Sequence, residues 1–435
     1  MRIAVAQTPG TRLDEWQDTR TLLEDLIARA AGLKAALVVL PECVWPAYRL
    51  GTKQAYLDAR AAGLPGPADF LTRICRTARQ RRIAICAGYV AEEGDRLFNA
   101  AALIGADGRV AGTCHKRFLW AFDRDYFDPG DRIEPVESAF GRVGLVVCAD
   151  ARLPEIPATL AARGAELILH PTAWVNAGSA DAPWNPQPEF LIPARAAECG
   201  VPVASASKWG AEGDTTFVGS SLICDAEGHI LTQCGQAETT VIVADVEPRP
   251  PRCLQMTDSE RSILLSPAAP TLPRAGVGPL ELRPIPPGDS GAGPVVALAR
   301  ARGSGVWRPL TRGGLAEIDG IRIGVISAAE AQSFAPARCL ALQGAHLVVV
   351  YDGGPTAAAK ARACENRIFV VTTDPGGWSV IDPRGLVIHE GRWPVGSERV
   401  SEVTLEVSLA ASKTVAPHTD VIRGRRPEQY CFTGT

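Results

Sequence analysis

The feature that most constrains the fold is an alternation of short apolar runs with longer segments rich in Ala, Leu and Arg. The runs have the length of strands, and the intervening segments have the apolar spacing of helices. Tight turns such as Asp107-Gly108 join some neighbouring runs, so hairpins are mixed with longer connections. We therefore predict an α/β fold, an α-β-β-α sandwich of two mixed sheets flanked by helices. The runs are IAVAQ, ALVVLPE, IAICAGYV, NAAALIG, VGLVVCAD, ELILHPTAW, VPVASAS and SSLICD.

Length and charge limit the number of domains and the kinds of partner. At 435 residues the chain exceeds the usual size of one hydrophobic core, which favours two or three domains or one domain with a large extension. Charged residues make up 21% and the formal net charge is −3, so neither nucleic acid nor an anionic membrane is expected as a partner. The sequence starts directly with a strand-like run and has no apolar stretch of spanning length, which makes a cytoplasmic protein the expectation.

The cysteines and lysines are informative by their placement. The 12 cysteines are scattered through apolar runs rather than paired as CxxC, so we expect mostly buried free thiols, with no metal, disulfide or organic cofactor required. Only six of the 45 basic residues are lysines. A lysine in an apolar setting therefore stands out as a candidate for a specific role.

A stretch dense in proline and glycine suggests where the chain divides. Residues 265–295 have neither helical nor strand periodicity and are predicted to form a linker. We accordingly predict a catalytic domain over 1–264 and a second domain over 296–435.

The second domain is predicted to be a partial copy of the first. The segment from Arg142 aligns without gaps with the segment from Arg322, and two later segments follow in the same order. The alternative interpretation is that two Ala-rich segments of an α/β sequence resemble each other by chance. The overlay places Ala328 on Cys148, and the second copy lacks the upstream strand that ends at Glu42, so it is predicted to be catalytically silent.

Three apolar runs each lead to a reactive side chain, namely Glu42, Lys116 and Cys148. Ends of strands in an α/β framework hold side chains rigidly in a cleft. A cysteine next to an ammonium group and a carboxylate can transfer its proton to the carboxylate, and the cation stabilises the thiolate. This combination predicts an activated nucleophile.

The same three groups suffice for cleavage of an amide. Attack by the Cys148 sulfur produces an oxyanion that the Lys116 ammonium and the backbone N–H of Ala149 can stabilise. Glu42 then donates a proton to the departing nitrogen and later activates the water that hydrolyses the thioester. Singly, each residue has a structural alternative: inert packing for Cys148, a turn or cap for Glu42, and a surface cation for Lys116.

The motifs around these residues resemble the nitrilase superfamily of carbon–nitrogen hydrolases. The resemblance covers about residues 1–260 and rests on several motifs at similar spacing. It implies the α-β-β-α sandwich, no cofactor, and catalytic roles for Glu42, Lys116 and Cys148. The motifs are MRIAVAQ, LPECVWPAY, FNAAALIGADGRVAGTCHKRFL, DYFDPGD and VCADARLPE.

The resemblance also implies further site residues. A second acid of the family corresponds in position to Asp123, four residues before Phe127, although an aspartate is one methylene shorter than the usual glutamate; a solvated loop acid is the alternative. Substrate contacts are expected from Trp174, Phe122 and Tyr48, with packing in the core as the alternative for Trp174.

Features near the nucleophile refine the expected substrate. The pattern C-A-D-x-R-x-P-E resembles amidase and carbamoylase branches more than true nitrilases, which favours an amide or N-carbamoyl substrate over a nitrile. Asp150, Arg152 and Glu155 are interpreted mainly as an ion network at a helix start. Arg195 and Lys208 are candidates for an anion pocket, with a surface or helix-packing role favoured.

Three functional alternatives remain at this point. The thioester can also be transferred to an amine, which would make the protein an acyl transferase; a nitrile is another substrate; and a silent binding protein is disfavoured by the intact reactive residues. Family members commonly form dimers through helices that the second copy retains. We therefore hypothesise that residues 296–435 act as a built-in pseudo-dimer partner, which would make the protein a monomer, with a homo-oligomer as the alternative.

Overall fold

The computed structural model describes residues 1–252, 254–286, 295–311, 313, 315–393 and 402–432. The chain forms two compact units, one comprising Met1–Leu254 with the C-terminal residues from Gln429, and the other comprising Gln255–Glu428. Within the described residues, no helix has both the length and the apolar character needed to cross a bilayer.

Fourteen strands and five α-helices are formed by the described residues of the first unit. The strands are β1 (Arg2–Pro9), β2 (Leu37–Val39), β3 (Ala84–Glu93), β4 (Arg96–Ile104), β5 (Val110–His115), β6 (Val136–Ser138), β7 (Gly141–Leu145), β8 (Leu167–Pro171), β9 (Val203–Ala206), β10 (Lys208–Glu212), β11 (Thr215–Val218), β12 (Leu222–Cys224), β13 (Ile230–Gln233) and β14 (Thr240–Asp245). The helices are α1 (Trp16–Gly32), α2 (Lys53–Ala61), α3 (Pro67–Arg81), α4 (Glu155–Ala162) and α5 (Ile192–Cys199).

Two mixed sheets form the core of this unit. The first runs in the order β11-β10-β1-β2-β3-β4-β5, and β14 also pairs with β1. The second runs β13-β12-β9-β8-β7-β6, with β7, β8 and β9 parallel and the other neighbours antiparallel. Strands β1, β2 and β3 face β8 and β9 of the other sheet, while α1 and α3 lie outside the first sheet and α4 and α5 outside the second. The predicted α-β-β-α sandwich is confirmed.

Helix α3 illustrates how local sequence sets an element. Pro67 occupies the first turn, where its missing N–H is not needed, and the Asp69 side chain accepts a hydrogen bond of 3.1 Å from Gly66 N. Phe70, Ile74 and Ala78 recur at intervals of four residues and are all buried against the sheet. Such a stripe is what the helical spacing of the sequence predicts.

The described residues of the second unit form twelve strands and four α-helices. The helices are α6 (Asp258–Leu265), α7 (Ala328–Ala331), α8 (Phe334–Leu342) and α9 (Ala357–Asn366). The strands are β15 (Leu280–Pro284), β16 (Val295–Ala301), β17 (Arg308–Thr311), β18 (Leu315–Ile318), β19 (Ile321–Ser327), β20 (Leu347–Tyr351), β21 (Phe369–Asp374), β22 (Gly377–Ile381), β23 (Val387–Arg392), β24 (Val403–Leu405), β25 (Thr414–Ala416) and β26 (Thr419–Asp420).

One sheet of the second unit has the strand order of a sheet in the first. Strands β18 to β23 are arranged in chain order with the same directions as β6, β7, β8, β9, β12 and β13. The registers also correspond, because Val143 pairs with Leu167 and Ile323 pairs with Leu347, each 180 positions later. The two sheets therefore follow the register of the sequence overlay at Arg142 and Arg322.

The second unit differs from the first in the remaining sheet and at the predicted linker. Its other large sheet is four antiparallel strands in the order β17-β16-β15-β24. Strand β15 lies inside the range 265–295 and pairs with β16 and β24, so that part is not a linker; residues 287–294 fall outside the described residues. Alternating burial of Leu280, Leu282 and Pro284 explains this strand, which its flanking prolines and glycines obscure in the sequence.

Candidate active site

Glu42 follows β2 and lies in a fully buried position. Its backbone N–H donates to Thr172 O at 3.2 Å, which ties the segment to the opposite sheet. Its Oε1 accepts hydrogen bonds of 2.7 Å from both Lys116 Nζ and Asn99 Nδ2. Burial raises the pKa of the Glu42 carboxyl, and the positive charge of Lys116 opposes that shift. A carboxyl with a raised pKa can both accept and return a proton.

Lys116 follows β5 and is the centre of the cluster. Its Nζ lies 2.7 Å from Glu42 Oε1, 2.6 Å from Asp123 Oδ2 and 3.1 Å from the Tyr48 hydroxyl. Burial acts to lower the pKa of Lys116, but the charges of Asp123 and Glu42 outweigh it and raise the pKa well above the usual lysine range. The site therefore holds a permanent cation in a buried, low-dielectric environment.

Cys148 begins a short 3-10 turn, Cys148–Arg152, which follows the end of β7 at Leu145 by three residues. Its φ of +44° lies in the left-handed region, which is strained for a residue with a Cβ and is typical of a functional position. Its Sγ lies 3.9 Å from Ala173 O. Burial raises the pKa of the Cys148 thiol to about 12; the charge of Glu42 adds to the rise and that of Lys116 opposes it. The resting thiol is therefore protonated. It is close enough to Glu42 and Lys116 for the charges of both side chains to affect its pKa.

Asp150 connects the turn of Cys148 to the segment of Lys116. Its Oδ1 accepts from the backbone N–H groups of Arg117 and Phe118 at 2.9 and 2.8 Å, and its Oδ2 accepts from Arg117 Nη1 at 3.1 Å. A further bond of 3.3 Å comes from Val147 N. The side chain is fully buried, so it links two reactive segments that are far apart in sequence.

Asn99, His170 and Gln187 contact the reactive residues but were not singled out by the sequence. His170 Nε2 lies 3.1 Å from Cys148 O and its Nδ1 lies 2.9 Å from Ser205 Oγ; burial lowers the pKa of this histidine to about 4, which leaves the ring neutral. With its amide nitrogen toward Cys148 O at 3.0 Å, Gln187 also accepts from Trp174 Nε1 at 3.3 Å. His170 lies in β8 and Gln187 begins a short helical turn, Gln187–Leu191, and neither position carries a sequence pattern from which these contacts could be inferred.

The remaining residues that the sequence predicted for the site differ in their burial and in their contacts. Asp123 is buried beside Lys116, which excludes the solvated-loop alternative for this acid. Tyr48 is buried and stacks edge-on with half-buried Phe122 at a centroid distance of 5.1 Å. Trp174 is fully buried, and its backbone N–H donates to Ser207 Oγ at 3.3 Å. Ala149 follows Cys148 in the same turn, and its role as an oxyanion donor stays a prediction.

A small cavity opens at the nucleophile candidate. Its space accessible to the centre of a water molecule is only about 10 Å³, roughly enough for one water. The residues that line it are Trp120, Cys148, Arg152, Ala173, Val175, Asn185 and Gln187. The Arg152 guanidinium lies over the Trp120 ring at 4.8 Å from the centroid.

Arg195 and Lys208 are both buried, so a surface role is wrong for each. Arg195 Nε donates to Ala151 O at 3.0 Å, and its Nη1 pairs with Glu198 Oε2 at 2.5 Å, which is a helix-packing role. Lys208 pairs with Glu212 at 2.8 Å. Across the part of the chain that the structure describes, no group of three or more His, Cys, Asp or Glu residues is arranged to hold a metal ion.

Comparison with known proteins identifies the first unit. The family model of carbon-nitrogen hydrolases matches residues 2–249. A nitrilase of Pyrococcus abyssi is 32% identical over 225 residues, which are 52% of this chain and 81% of that protein. An (R)-stereoselective amidase of Pseudomonas sp. is 32% identical over 245 residues, which are 56% of this chain and 84% of that protein.

A solved amidase from Nesterenkonia sp. is 29% identical, and the match covers 60% of this chain and 94% of that one with a TM-score of 0.49. The family match ends close to Leu254, the last residue of the first unit before the chain enters the second. It spans more than half of the chain and includes Glu42, Lys116 and Cys148. The protein is therefore a member of the carbon–nitrogen hydrolase family.

Proposed function

We propose that this carbon–nitrogen hydrolase cleaves a small linear amide or N-carbamoyl compound through a thioester on Cys148. The observation that carries the proposal is the buried cluster in which Lys116 Nζ lies 2.7 Å from Glu42 and 2.6 Å from Asp123, next to a thiol on a left-handed turn. The proposal assigns to these groups the roles of base, cation and nucleophile in one buried site.

The first step forms the bond between the Cys148 sulfur and the amide carbon. Because burial raises the pKa of Cys148 to about 12, the thiol loses its proton to Glu42 as it attacks rather than beforehand. The carbonyl π electrons move to oxygen, and the resulting oxyanion is stabilised by the Lys116 ammonium and by the Ala149 N–H. A fixed cation in a buried site stabilises such a charge more strongly than it would in water.

The second step breaks the carbon–nitrogen bond. Protonated Glu42 donates its proton to the amide nitrogen, ammonia or an amine leaves, and the acyl group remains on sulfur. Water then attacks the thioester while Glu42 accepts its proton, and collapse of the second oxyanion returns the proton to sulfur. The net reaction consumes one water and releases ammonia or an amine, together with a carboxylic acid from an amide or a carbamic acid from an N-carbamoyl compound.

Two buried oxygen atoms support an amide as substrate. Within the described residues, Glu42 Oε2 and Asp123 Oδ1 have no hydrogen-bond partner. A buried acceptor without a partner is costly, and the N–H groups of a bound amide would satisfy it. A nitrile carries no N–H group and leaves Asp123 Oδ1 unsatisfied. The small cavity at Cys148 favours a compact acyl group.

The proposal is tested by ammonia release from a panel of small amides, carbamoyl compounds and nitriles. We expect wild-type activity on some amides or carbamoyl compounds and none for Cys148→Ala. Cys86→Ala removes another buried free thiol of the same unit and serves as the matched control with activity retained. Ammonia release by Cys148→Ala at the wild-type rate would refute the mechanism. Product analysis with added amines separates hydrolysis from acyl transfer, and turnover of nitriles alone would refute the amide assignment.

We further propose that the second unit is a truncated, catalytically silent copy of the same fold. The matching strand order and register of β18–β23 support this origin. The equivalent of Cys148 is Ala328, which begins α7, and Ser327 and Glu330 form an ordinary helix cap there. In the described part of this unit, the sheet that faces β18–β23 is antiparallel and carries no counterpart of the strands leading to Glu42 and Lys116.

A further inference from the structure

A buried ion pair lies at the two ends of β10, away from the cavity at Cys148. Lys208 Nζ is 2.8 Å from Glu212 Oε2, and the side chains are 0% and 1% exposed. In a straight strand, residues four positions apart are separated by about 13 Å. Gly210 lies between them with φ of +75°, a conformation that glycine adopts without strain.

Lys208 holds the segment next to Glu42. Its Nζ donates to Cys43 O at 3.0 Å. Cys43 has φ of +38°, which is strained for a residue with a Cβ, so this backbone conformation needs support from its surroundings. The hydrogen bond from Lys208 supports this backbone conformation, one residue after the proposed base Glu42.

Glu212 holds the other end of the same segment. Its Oε1 accepts from the backbone N–H groups of Tyr48 and Arg49, the latter at 2.8 Å, and its Oε2 accepts from Thr11 N at 3.2 Å. Tyr48 in turn accepts a hydrogen bond of 3.1 Å from Lys116 Nζ at its hydroxyl. One carboxylate therefore links β10, the residues that follow β1, and the segment that supplies two contacts of Lys116.

We infer that Lys208 and Glu212 are positioning residues, which fix Glu42 and Tyr48 against Lys116 for the reaction. The inference rests on the proposed function of Glu42 and Lys116. The segment from Leu40 to Thr52 contains no helix and only an isolated bridge, so its shape depends on contacts with its surroundings. A buried ion pair contributes little net stability compared with apolar packing, but a fully hydrogen-bonded one specifies geometry.

The test compares Lys208→Met, which removes the charge, with Lys208→Arg, which restores a cation able to donate to both Cys43 O and Glu212. A misplacement of about 1 Å in a catalytic group costs about a hundredfold in rate. We therefore expect Lys208→Met to lower kcat about a hundredfold with little change in KM, and Lys208→Arg to recover at least about tenfold of that loss. Glu212→Gln, which keeps one acceptor oxygen, is the second variant if Lys208→Met does not fold.

A matched control and a second readout separate positioning from loss of stability. Glu365→Gln breaks a buried ion pair in α9 of the second unit, where Arg362 Nε lies 3.2 Å from Glu365 Oε1, and is expected to lower the melting temperature without lowering kcat. Alkylation of Cys148 by iodoacetamide, followed by peptide mass spectrometry, reports on the proton transfer to Glu42 without a known substrate. We expect this rate to fall in Lys208→Met and to stay unchanged in Glu365→Gln.

The outcomes distinguish the two proposals. Rates of turnover and alkylation within threefold of wild type in Lys208→Met would overturn the positioning role. An equal loss of kcat in Lys208→Met, Lys208→Arg and Glu365→Gln would also overturn it, because the effect would then be one of stability. Activity that persists in Cys148→Ala would instead refute the proposed function itself.

Discussion

Replacing Asp150 with asparagine tests how the two reactive segments are held together. The carboxylate accepts four hydrogen bonds in a fully buried position, two at each oxygen. Asparagine keeps one acceptor oxygen but presents an NH₂ group at the other position. Two donors therefore lose their acceptor, either the N–H groups of Arg117 and Phe118 or those of Arg117 Nη1 and Val147.

The size of the effect follows from these contacts. Each buried donor left without a partner costs about 1–3 kcal/mol, so two such donors lower the free energy of unfolding by about 4 kcal/mol. This figure agrees with the cost of about 3–5 kcal/mol for breaking a buried ion pair. For a unit of this size, 1 kcal/mol corresponds to about 2–4 °C in melting temperature. Asp150→Asn should therefore lower the melting temperature of the first unit by about 10 °C and reduce turnover, because Lys116 and Cys148 are no longer linked.

Thermal unfolding followed by circular dichroism, with activity measured in parallel, checks this expectation. Asp245→Asn is the matched control, since Asp245 pairs with Arg2 at 2.9 Å but its side chain is 67% exposed. An exposed ion pair contributes little to stability, so this variant should leave the melting temperature nearly unchanged. A loss of stability in Asp150→Asn no greater than in Asp245→Asn would refute the reasoning.

Three further changes have defined outcomes. Glu42→Gln should lower kcat by about 10³-fold and move the pH midpoint of Cys148 alkylation downward, because the Glu42 charge that raises the pKa of Cys148 is removed; an unchanged midpoint in a pH series would contradict this. Asn99→Leu removes a hydrogen bond that lowers the pKa of Glu42, so the acidic limb of the kcat/KM profile should move to higher pH, and an unmoved limb would contradict the role of Glu42 as the base. Light scattering should give a monomer near 46.1 kDa, as the pseudo-dimer hypothesis requires, whereas a dimer mass would exclude it.

The sequence predicted much of the fold because apolar periodicity and turn residues are local. The two mixed sheets and the layers of helices were predicted from runs such as IAICAGYV and NAAALIG, which lie largely in β3 and β4. The register of the second unit was also predictable, since the overlay of Arg142 on Arg322 required no gap. Strand β15 was missed because its few alternating residues are surrounded by proline and glycine.

Site residues could be predicted where a reactive residue follows the end of a strand. Residues whose contacts depend on the register of strand pairing could not be predicted. Asn99 lies inside an ordinary apolar run, and its contact with Glu42 arises only because β3 and β4 pair as they do. Lys208 contacts Cys43, a residue 165 positions earlier in the chain. Such contacts depend on the packing of the whole unit and cannot be predicted from the spacing of residues along the sequence.

The nucleophile is tested most directly by intact-protein mass spectrometry after rapid acid quench. Wild type and Cys148→Ala are mixed with an amide that releases ammonia, and the mass is recorded within the first turnovers. The account predicts a mass gain equal to the acyl group on wild type, located at Cys148 by peptide analysis and absent from Cys148→Ala. An acyl group on any other residue, or ammonia release by Cys148→Ala at the wild-type rate, would contradict it.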